Sequence, residues 1–256
     1  MFTMGDIARC SMQNEDILYK LFGINAEILI DHAWGWEPCT IESIKSYKPT
    51  SNSISRGQAL HCPYNYEQAR LIVKEMIDLL ALDLVEKNLV TNQLVLNIGY
   101  DVECLADYNI SKNYNGEITT DFYGRKIPKP AHGTINLKYK TSSSKLLTDA
   151  IIKLYEQIVN KELLIRKVNI FANNLIDENE AKKEKVVKQI DLFTDYRTLE
   201  KERQKEMQEQ QEENKIQHVI LDIKKKYGKN AILKGMNFVE GATTRERNEQ
   251  IGGHRA

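Results

Sequence analysis

Basic and polar side chains alternate with apolar ones in two stretches of this sequence. In residues 134–140, TINLKYK, every second residue is polar or basic, and the last two of these are Lys138 and Lys140. In residues 165–171, IRKVNIF, Lys167 is out of phase with the apolar residues that follow it. A β-strand shows alternate residues to opposite faces, so these polar groups would share one face. Ammonium groups attract phosphate oxygens and short amide donors position them. The pattern therefore predicts a phosphate-contacting face, although an ordinary solvated sheet face would look similar.

An α+β arrangement over residues 53–176 is predicted to position these groups. SISRGQAL at residues 53–60 is compatible with a first strand, and its pattern leaves open whether Ser55 or Arg56 faces outward. Two helices are indicated by apolar residues at steps of three and four, and the other strands by alternation. The order β-α-β-β-α-β predicts a four-stranded sheet with both helices on one face and the other face open.

The remaining sequence divides into shorter segments. Residues 1–48 contain two short apolar runs around a glycine, which predicts a helical hairpin, and residues 49–52 form a polar linker. Residues 177–217 are rich in Glu, Lys and Gln, which is typical of a solvated helix or a disordered tether. Residues 218–256 combine a short apolar helix with a polar, glycine-rich end, whose fold the pattern leaves open.

Composition argues against several classes of protein. Lys plus Arg and Asp plus Glu balance at 36 each, so any nucleic-acid contact must come from a local face. No apolar run approaches the roughly 20 residues of a membrane span, and the first ten residues lack the layout of a signal peptide. The four cysteines form no C-x-x-C pair, which favours free thiols and a cytoplasmic location. No set of nucleophile, base and orienting group indicates a hydrolase.

Five motifs are informative in combination. They are TMGDIA at residues 3–8, KLFG at 20–23, SISRGQAL at 53–60, LIRKVNIF at 164–171 and LKGMNFVEGATTRERNEQIGGHRA at the end of the chain. Together they resemble the C-terminal part of a bacterial Y-family translesion DNA polymerase. Residues 1–48 resemble part of its thumb, and residues 53–176 resemble its little finger, which shares the predicted β-α-β-β-α-β order.

The resemblance implies a role in DNA repair and damage tolerance, in which this region grips primer-template DNA by its backbone without reading bases. Backbone contacts are implied by position for Ser53, Ser55, Arg56, Arg166 and Lys167. Lys138 and Lys140 join this set through the alternation described above, not through a family motif.

Catalysis in this family requires acidic palm residues, an early Asp and a Ser-x-Asp-Glu motif, that hold two Mg²⁺ ions. No matching motif occurs here. We therefore expect no cofactor in this chain and no polymerase activity from the chain alone. The missing palm and fingers are the implied catalytic partners, whether the chain is a separated part of an enzyme or a truncated gene product.

A clamp-binding peptide is implied at residues 188–193, KQIDLF. Gln189, Leu192 and Phe193 resemble the Q-x-x-L-F peptide by which bacterial polymerases hold the sliding clamp. Leu192 and Phe193 would enter an apolar pocket of the clamp, and Gln189 would make orienting hydrogen bonds. The alternative is that Leu192 and Phe193 dock onto the chain's own little finger.

Two further alternatives stay open. The turn-rich insertion at residues 102–132 mixes tyrosines, a phenylalanine and basic residues that could contact DNA, yet a long loop can also be simply packed or disordered. The whole chain could also be a stand-alone accessory protein that binds the clamp or a partner polymerase without touching DNA.

Overall fold

The structure is a computed structural model that describes residues 3–47, 52–121, 123–183, 196–251 and 254–255. It divides into two compact units, Met1–Ser51 and Asn52–Ala256. About half of the chain is helical and a quarter lies in strands, which confirms the predicted α+β class. Among the helices of the described residues, none has both the length and the apolar character that crossing a membrane requires.

The first unit is helical. Its elements are α1 (Met4–Gln13), α2 (Glu15–Phe22), α3 (Asn25–Ala33) and α4 (Ile41–Ser46). Gly23 lies between α2 and α3 with φ of 59°, a left-handed conformation that glycine adopts without steric cost. Leu18 and Ala26 are fully buried between the helices, whereas Trp34 and Trp36 are more than half exposed.

The second unit follows the predicted order of strands and helices, with short elements added in the insertion and at the C-terminal end. In chain order its elements are β1 (Ile54–Tyr64), α5 (Tyr66–Glu86), β2 (Leu89–Tyr100), α6 (Glu103–Ala106), α7 (Tyr108–Asn113), β3 (Ile118–Thr120), β4 (Lys126–Pro128), β5 (Ala131–Thr141), α8 (Ser144–Ile158), β6 (Ile165–Asn173), β7 (Ile176–Asp177), α9 (Glu178–Lys183), α10 (Tyr196–Tyr227), a 3₁₀ helix (Gly235–Phe238), α11 (Thr244–Asn248), β8 (Gln250–Ile251) and β9 (His254–Arg255).

The long strands form one antiparallel sheet in the order β1-β6-β2-β5, and the short strand β7 pairs with β2. Helices α5 and α8 cover one face, where Leu94, Leu96 and Ile98 of β2 are fully buried. Strand β6 contributes Val168 and Ile170 to the same core. The alternate residues of these strands point to the other face, as the sequence pattern predicts.

Helix α10 extends the core beyond the sheet and its two helices. Gln217 is buried, and its Nε2 donates a hydrogen bond to the carbonyl oxygen of Ser142 at 3.2 Å. Leu221 packs against Leu82 and Val85 of α5. The predicted boundary at residue 217 therefore falls inside a continuous helix, because this part of α10 has an apolar partner on α5.

The C-terminal segment, residues 228–250, is fixed to α5 by a buried carboxylate. Glu75 of α5 is 2% exposed and accepts hydrogen bonds from Asn237 Nδ2 at 2.7 Å and from the backbone N–H of Thr243 at 2.8 Å. Lys234 Nζ lies 2.5 Å from Asp78 Oδ1, also on α5. The fold that the sequence left open for this segment is thus a layer on the outer side of α5.

Candidate nucleic-acid interface

The open face of the sheet carries a chain of hydrogen-bonded amides across three strands. Asn136 of β5 and Asn173 of β6 both pair in register with Gln93 of β2. Gln93 Nε2 donates to Asn136 Oδ1 at 2.9 Å, and Asn173 Nδ2 donates to Gln93 Oε1 at 3.2 Å. These bonds fix the orientation of side chains whose remaining donors and acceptors point to solvent.

A β-bulge places two consecutive cations on the open face. Lys167 pairs with Gly99 of β2, but the next pair is Ile165 with Tyr100, so Arg166 is the extra residue on β6. Ile165 and Val168 are both buried in the core, and the two residues between them are not. The sequence motif IRKV therefore delivers Arg166 and Lys167 to one face, which simple alternation would not do.

The four long strands of the sheet are free of acidic residues. Asp and Glu make up 36 of the 256 residues, yet strands β1, β2, β5 and β6 contain neither. Arg166 forms an ion pair with Asp101, which comes just after β2 and whose Oδ2 lies 3.6 Å from the arginine Nε. The sheet therefore contributes positive charge and neutral donors to its open face.

On the first strand, the structure places the predicted residues on different faces of the sheet. Ser55 pairs with Phe171 and is exposed on the open face, and Ser53 is exposed just before the strand begins. Arg56 points to the helix-covered face, where its Nε and Nη2 donate to both carboxylate oxygens of Asp83 at 2.6 and 2.7 Å. The ambiguity of register is thus resolved in favour of Ser55, because Asp83 on α5 holds Arg56.

Lys138 and Lys140 lie where β5 departs from regular pairing with β2. Gln93 pairs with Asn136, and the next pair is Thr91 with Thr141, so several residues of β5 bulge between these two pairs. Lys138 is exposed, and its Nζ lies 5.1 Å from the centroid of the neighbouring tyrosine ring, whereas Lys140 is half-buried. Of the two, Lys138 is better placed to meet a ligand on the open face.

The insertion lies against one end of the open face, and a groove runs between the insertion and the sheet. Asn97, Lys167 and Asn169 line this groove from the sheet, and Tyr123 and Arg125 line it from the hairpin that β3 and β4 form. Asn97 and Asn169 are directly opposite each other on neighbouring strands. The insertion is therefore a structured part of this surface.

Several open-face residues were missed by the sequence interpretation, although their signal is present. Leu94, Leu96 and Ile98 alternate, so the residues between them, Asn97 in particular, had to point outward. Phe171 was read only as part of a motif, yet it follows the same alternation and lies half-buried between the polar rows. On β2 these outward residues carry no charge, so a pattern of basic residues does not include them.

Gln189, Leu192 and Phe193, the implied clamp-binding residues, lie outside the residues that the structure describes. Among the described residues, no group of three or more His, Cys, Asp or Glu side chains is arranged to hold a metal ion.

The fold and the open face thus define an α+β domain whose sheet presents cations and amides on one face. A model of the impB/mucB/samB family C-terminal domain matches residues 48–192, more than half of the chain. The chain therefore belongs to this family, the C-terminal domain of Y-family DNA polymerases, and the resemblance carried by the short motifs is confirmed.

Other comparisons add little to this assignment. No curated protein matches the chain. Among solved structures, the post-insertion binary complex of Dbh DNA polymerase is similar, with 13% sequence identity and a TM-score of 0.29. The match covers 66% of this chain and 41% of that polymerase, so the chain spans less than half of the length of the structure it matches.

Proposed function

We propose that the second unit holds duplex DNA by its sugar-phosphate backbone, as the DNA-gripping part of a Y-family polymerase in DNA repair and damage tolerance. The observation that carries this proposal is the set of long strands without acidic residues, whose open face gathers Lys138, Arg166 and Lys167 beside rows of amides. Family membership supports it, since a polymerase must hold every template sequence equally well.

The chemistry of the face favours phosphate over base edges as its ligand. Ammonium and guanidinium groups attract phosphate oxygens at any sequence, and amide N–H groups add short, directional contacts. Ser55 supplies a hydroxyl donor on the same face. Arg56 is left out of the proposed contact set because its guanidinium is engaged by Asp83 on the other side of the sheet.

Duplex binding measured by fluorescence anisotropy across a salt series tests the proposal. Lys138→Ala/Lys167→Ala removes two cations from the open face. Lys145→Ala/Lys153→Ala removes two exposed lysines from α8, on the covered side of the sheet, and is the matched control. Each lost phosphate contact should reduce the slope of log K against log salt by about 0.9, so the first variant should lose about 1.8.

The control variant should keep the wild-type slope. Equal slopes for the two variants would mean that only net charge matters, and the open face would lose its role. Absence of duplex binding at low salt would favour the alternative function, a stand-alone accessory protein that binds the clamp or a partner polymerase without DNA.

Docking on the bacterial sliding clamp is the second part of the proposal. Its support is the Q-x-x-L-F spacing of Gln189, Leu192 and Phe193, which follows the family-matched domain in the sequence. Leu192→Ala/Phe193→Ala should abolish binding of the full chain to the clamp, whereas Val186→Ala/Val187→Ala, in the same segment, should not. Equal binding by both variants would assign clamp contact, if any, to another surface.

A further inference from the structure

The hairpin of the insertion ends in a turn that a single carboxylate organises. Asp121 Oδ1 accepts hydrogen bonds from the backbone N–H groups of Tyr123 at 2.9 Å and Arg125 at 2.8 Å. Its Oδ2 accepts from Nε and Nη2 of Arg125, at 2.8 and 2.7 Å. Hydrogen bonds from the Arg125 side chain lower the pKa of Asp121, so the carboxylate is ionised at neutral pH. Gly124 completes the turn with φ of 78°.

This turn presents the ring of Tyr123 to solvent at the rim of the groove. The residue is 75% exposed, and the guanidinium carbon of Arg125 lies 5.2 Å from the ring centroid. The fork of bonds to Asp121 holds that guanidinium in place. An aromatic ring held in a fixed orientation loses little conformational entropy when a flat ligand stacks on it.

The sheet side of the groove offers groups that match the rest of a nucleotide. Asn97 and Asn169 each carry an amide that can donate to and accept from a base edge or sugar. Lys167, on the same side, carries an ammonium group suited to a phosphate. The groove is also lined by the carboxylates of Asp101, Glu103 and Asp121; Asp121 is paired with Arg125, and Asp101 lies 3.6 Å from Arg166 Nε. Its stacking surface, its polar amides and Lys167 are the elements found in sites for single-stranded nucleic acid.

We propose that this groove receives an unpaired nucleotide of a template strand next to the bound duplex. Its base stacks on Tyr123, its polar edge meets Asn97 and Asn169, and its phosphate pairs with Lys167. This inference rests on the proposed duplex binding and extends it. An unpaired nucleotide is the ligand because a base inside a duplex has both faces covered by its neighbours and cannot stack on a side chain.

The test compares the full chain on two DNA probes, a blunt duplex and the same duplex with a short single-stranded 5′ overhang that contains 2-aminopurine. The overhang should tighten wild-type binding about fivefold, the lower end of what stacking on an aromatic side chain contributes, and should quench the 2-aminopurine fluorescence. Tyr123→Ala should lose both effects while binding the blunt duplex normally, and Tyr123→Phe should keep both.

Tyr108→Ala is the matched control, because Tyr108 is 72% exposed, lies in the same insertion and does not line the groove. Equal binding of blunt and overhang DNA by the wild type, or an unchanged overhang effect in Tyr123→Ala, would overturn the inference and leave duplex binding standing. Binding of overhang DNA alone would support the groove and refute duplex binding. Failure to bind either probe would refute both proposals.

Discussion

Replacing Glu75 with alanine should release the C-terminal segment from α5 while the sheet stays folded. The carboxylate of Glu75 is almost fully buried and receives hydrogen bonds from the side chain of Asn237 and the backbone of Thr243. The backbone N–H of Thr244 also points to it, at 3.4 Å. Alanine would remove the acceptor, and the buried Asn237 side chain and Thr243 N–H would lose their partner.

The expected loss of docking free energy follows from the two shorter hydrogen bonds to Glu75. Hydrogen bonds to a charged group contribute about 1.5–3 kcal/mol each, so their loss costs about 3–6 kcal/mol in docking of the segment. The penalty can be avoided by local undocking, which exposes the donors to water, because proteins open in separate cooperative units. Global unfolding should therefore change less than the protection of residues 235–248.

Hydrogen exchange followed by mass spectrometry measures this protection directly. Glu86→Ala is the control, since Glu86 is also on α5 and pairs with Lys225 of α10, but both side chains are substantially exposed. Such surface pairs contribute at most about 1 kcal/mol. Slow exchange at Thr243 in Glu75→Ala, as in the wild type, would refute the assignment of Glu75 as the anchor.

Two further predictions concern the core of the second unit. A β-carbon at Gly133 would approach Leu154 Cδ1 to 2.9 Å. Gly133→Val should therefore lower the free energy of unfolding, measured by chemical denaturation, by about 1–3 kcal/mol despite the strand preference of valine. Unchanged stability would mean that α8 can shift freely. Burial raises the pKa of the Cys104 thiol, so iodoacetamide should label the exposed Cys39 in the native chain and reach Cys104 only on unfolding. Rapid native labelling of Cys104 would contradict its placement in the core.

The sheet was predictable because its signals are local. Leu94, Leu96 and Ile98 alternate over consecutive residues, and such a period of two leaves little freedom in assigning faces. Arg56 shows the limit of that reasoning. Its neighbours Ser55 and Gly57 are compatible with either register, and the deciding contact is an ion pair with Asp83, 27 residues along the chain. A partner on another element cannot be read from the strand itself.

The bulge at Arg166 and the turn at Asp121 were not predictable for a related reason. The bulge is a shift in the pairing of β6 with β2, and the geometry of the turn depends on how the side chains of Asp121 and Arg125 meet, so neither is a pattern within one strand. Alternation would have placed Arg166 and Lys167 on opposite faces. The extra residue at the bulge is what allows both cations to serve the open face.

Helix α5 is buried on two sides, and its sequence contains a separate stripe for each. The first stripe faces the sheet and was recognised from its apolar residues. The second consists of Glu75, Asp78, Leu82 and Val85, at steps of three, four and three, and meets the C-terminal segment and α10. This second stripe contains two acidic and two apolar residues. A pattern of apolar residues at helical spacing therefore does not include it.

The same two carboxylates bear on how a chain of zero net charge could attract DNA. Acidic residues are absent from the four long strands of the sheet, whereas α5 carries Glu75, Asp78 and Asp83 on sides turned away from the open face. Each of these three carboxylates accepts hydrogen bonds from a donor of the C-terminal segment or of β1. These contacts offset part of its negative charge locally. The cations of the long strands are thus separated from these three carboxylates, within a protein of zero net charge.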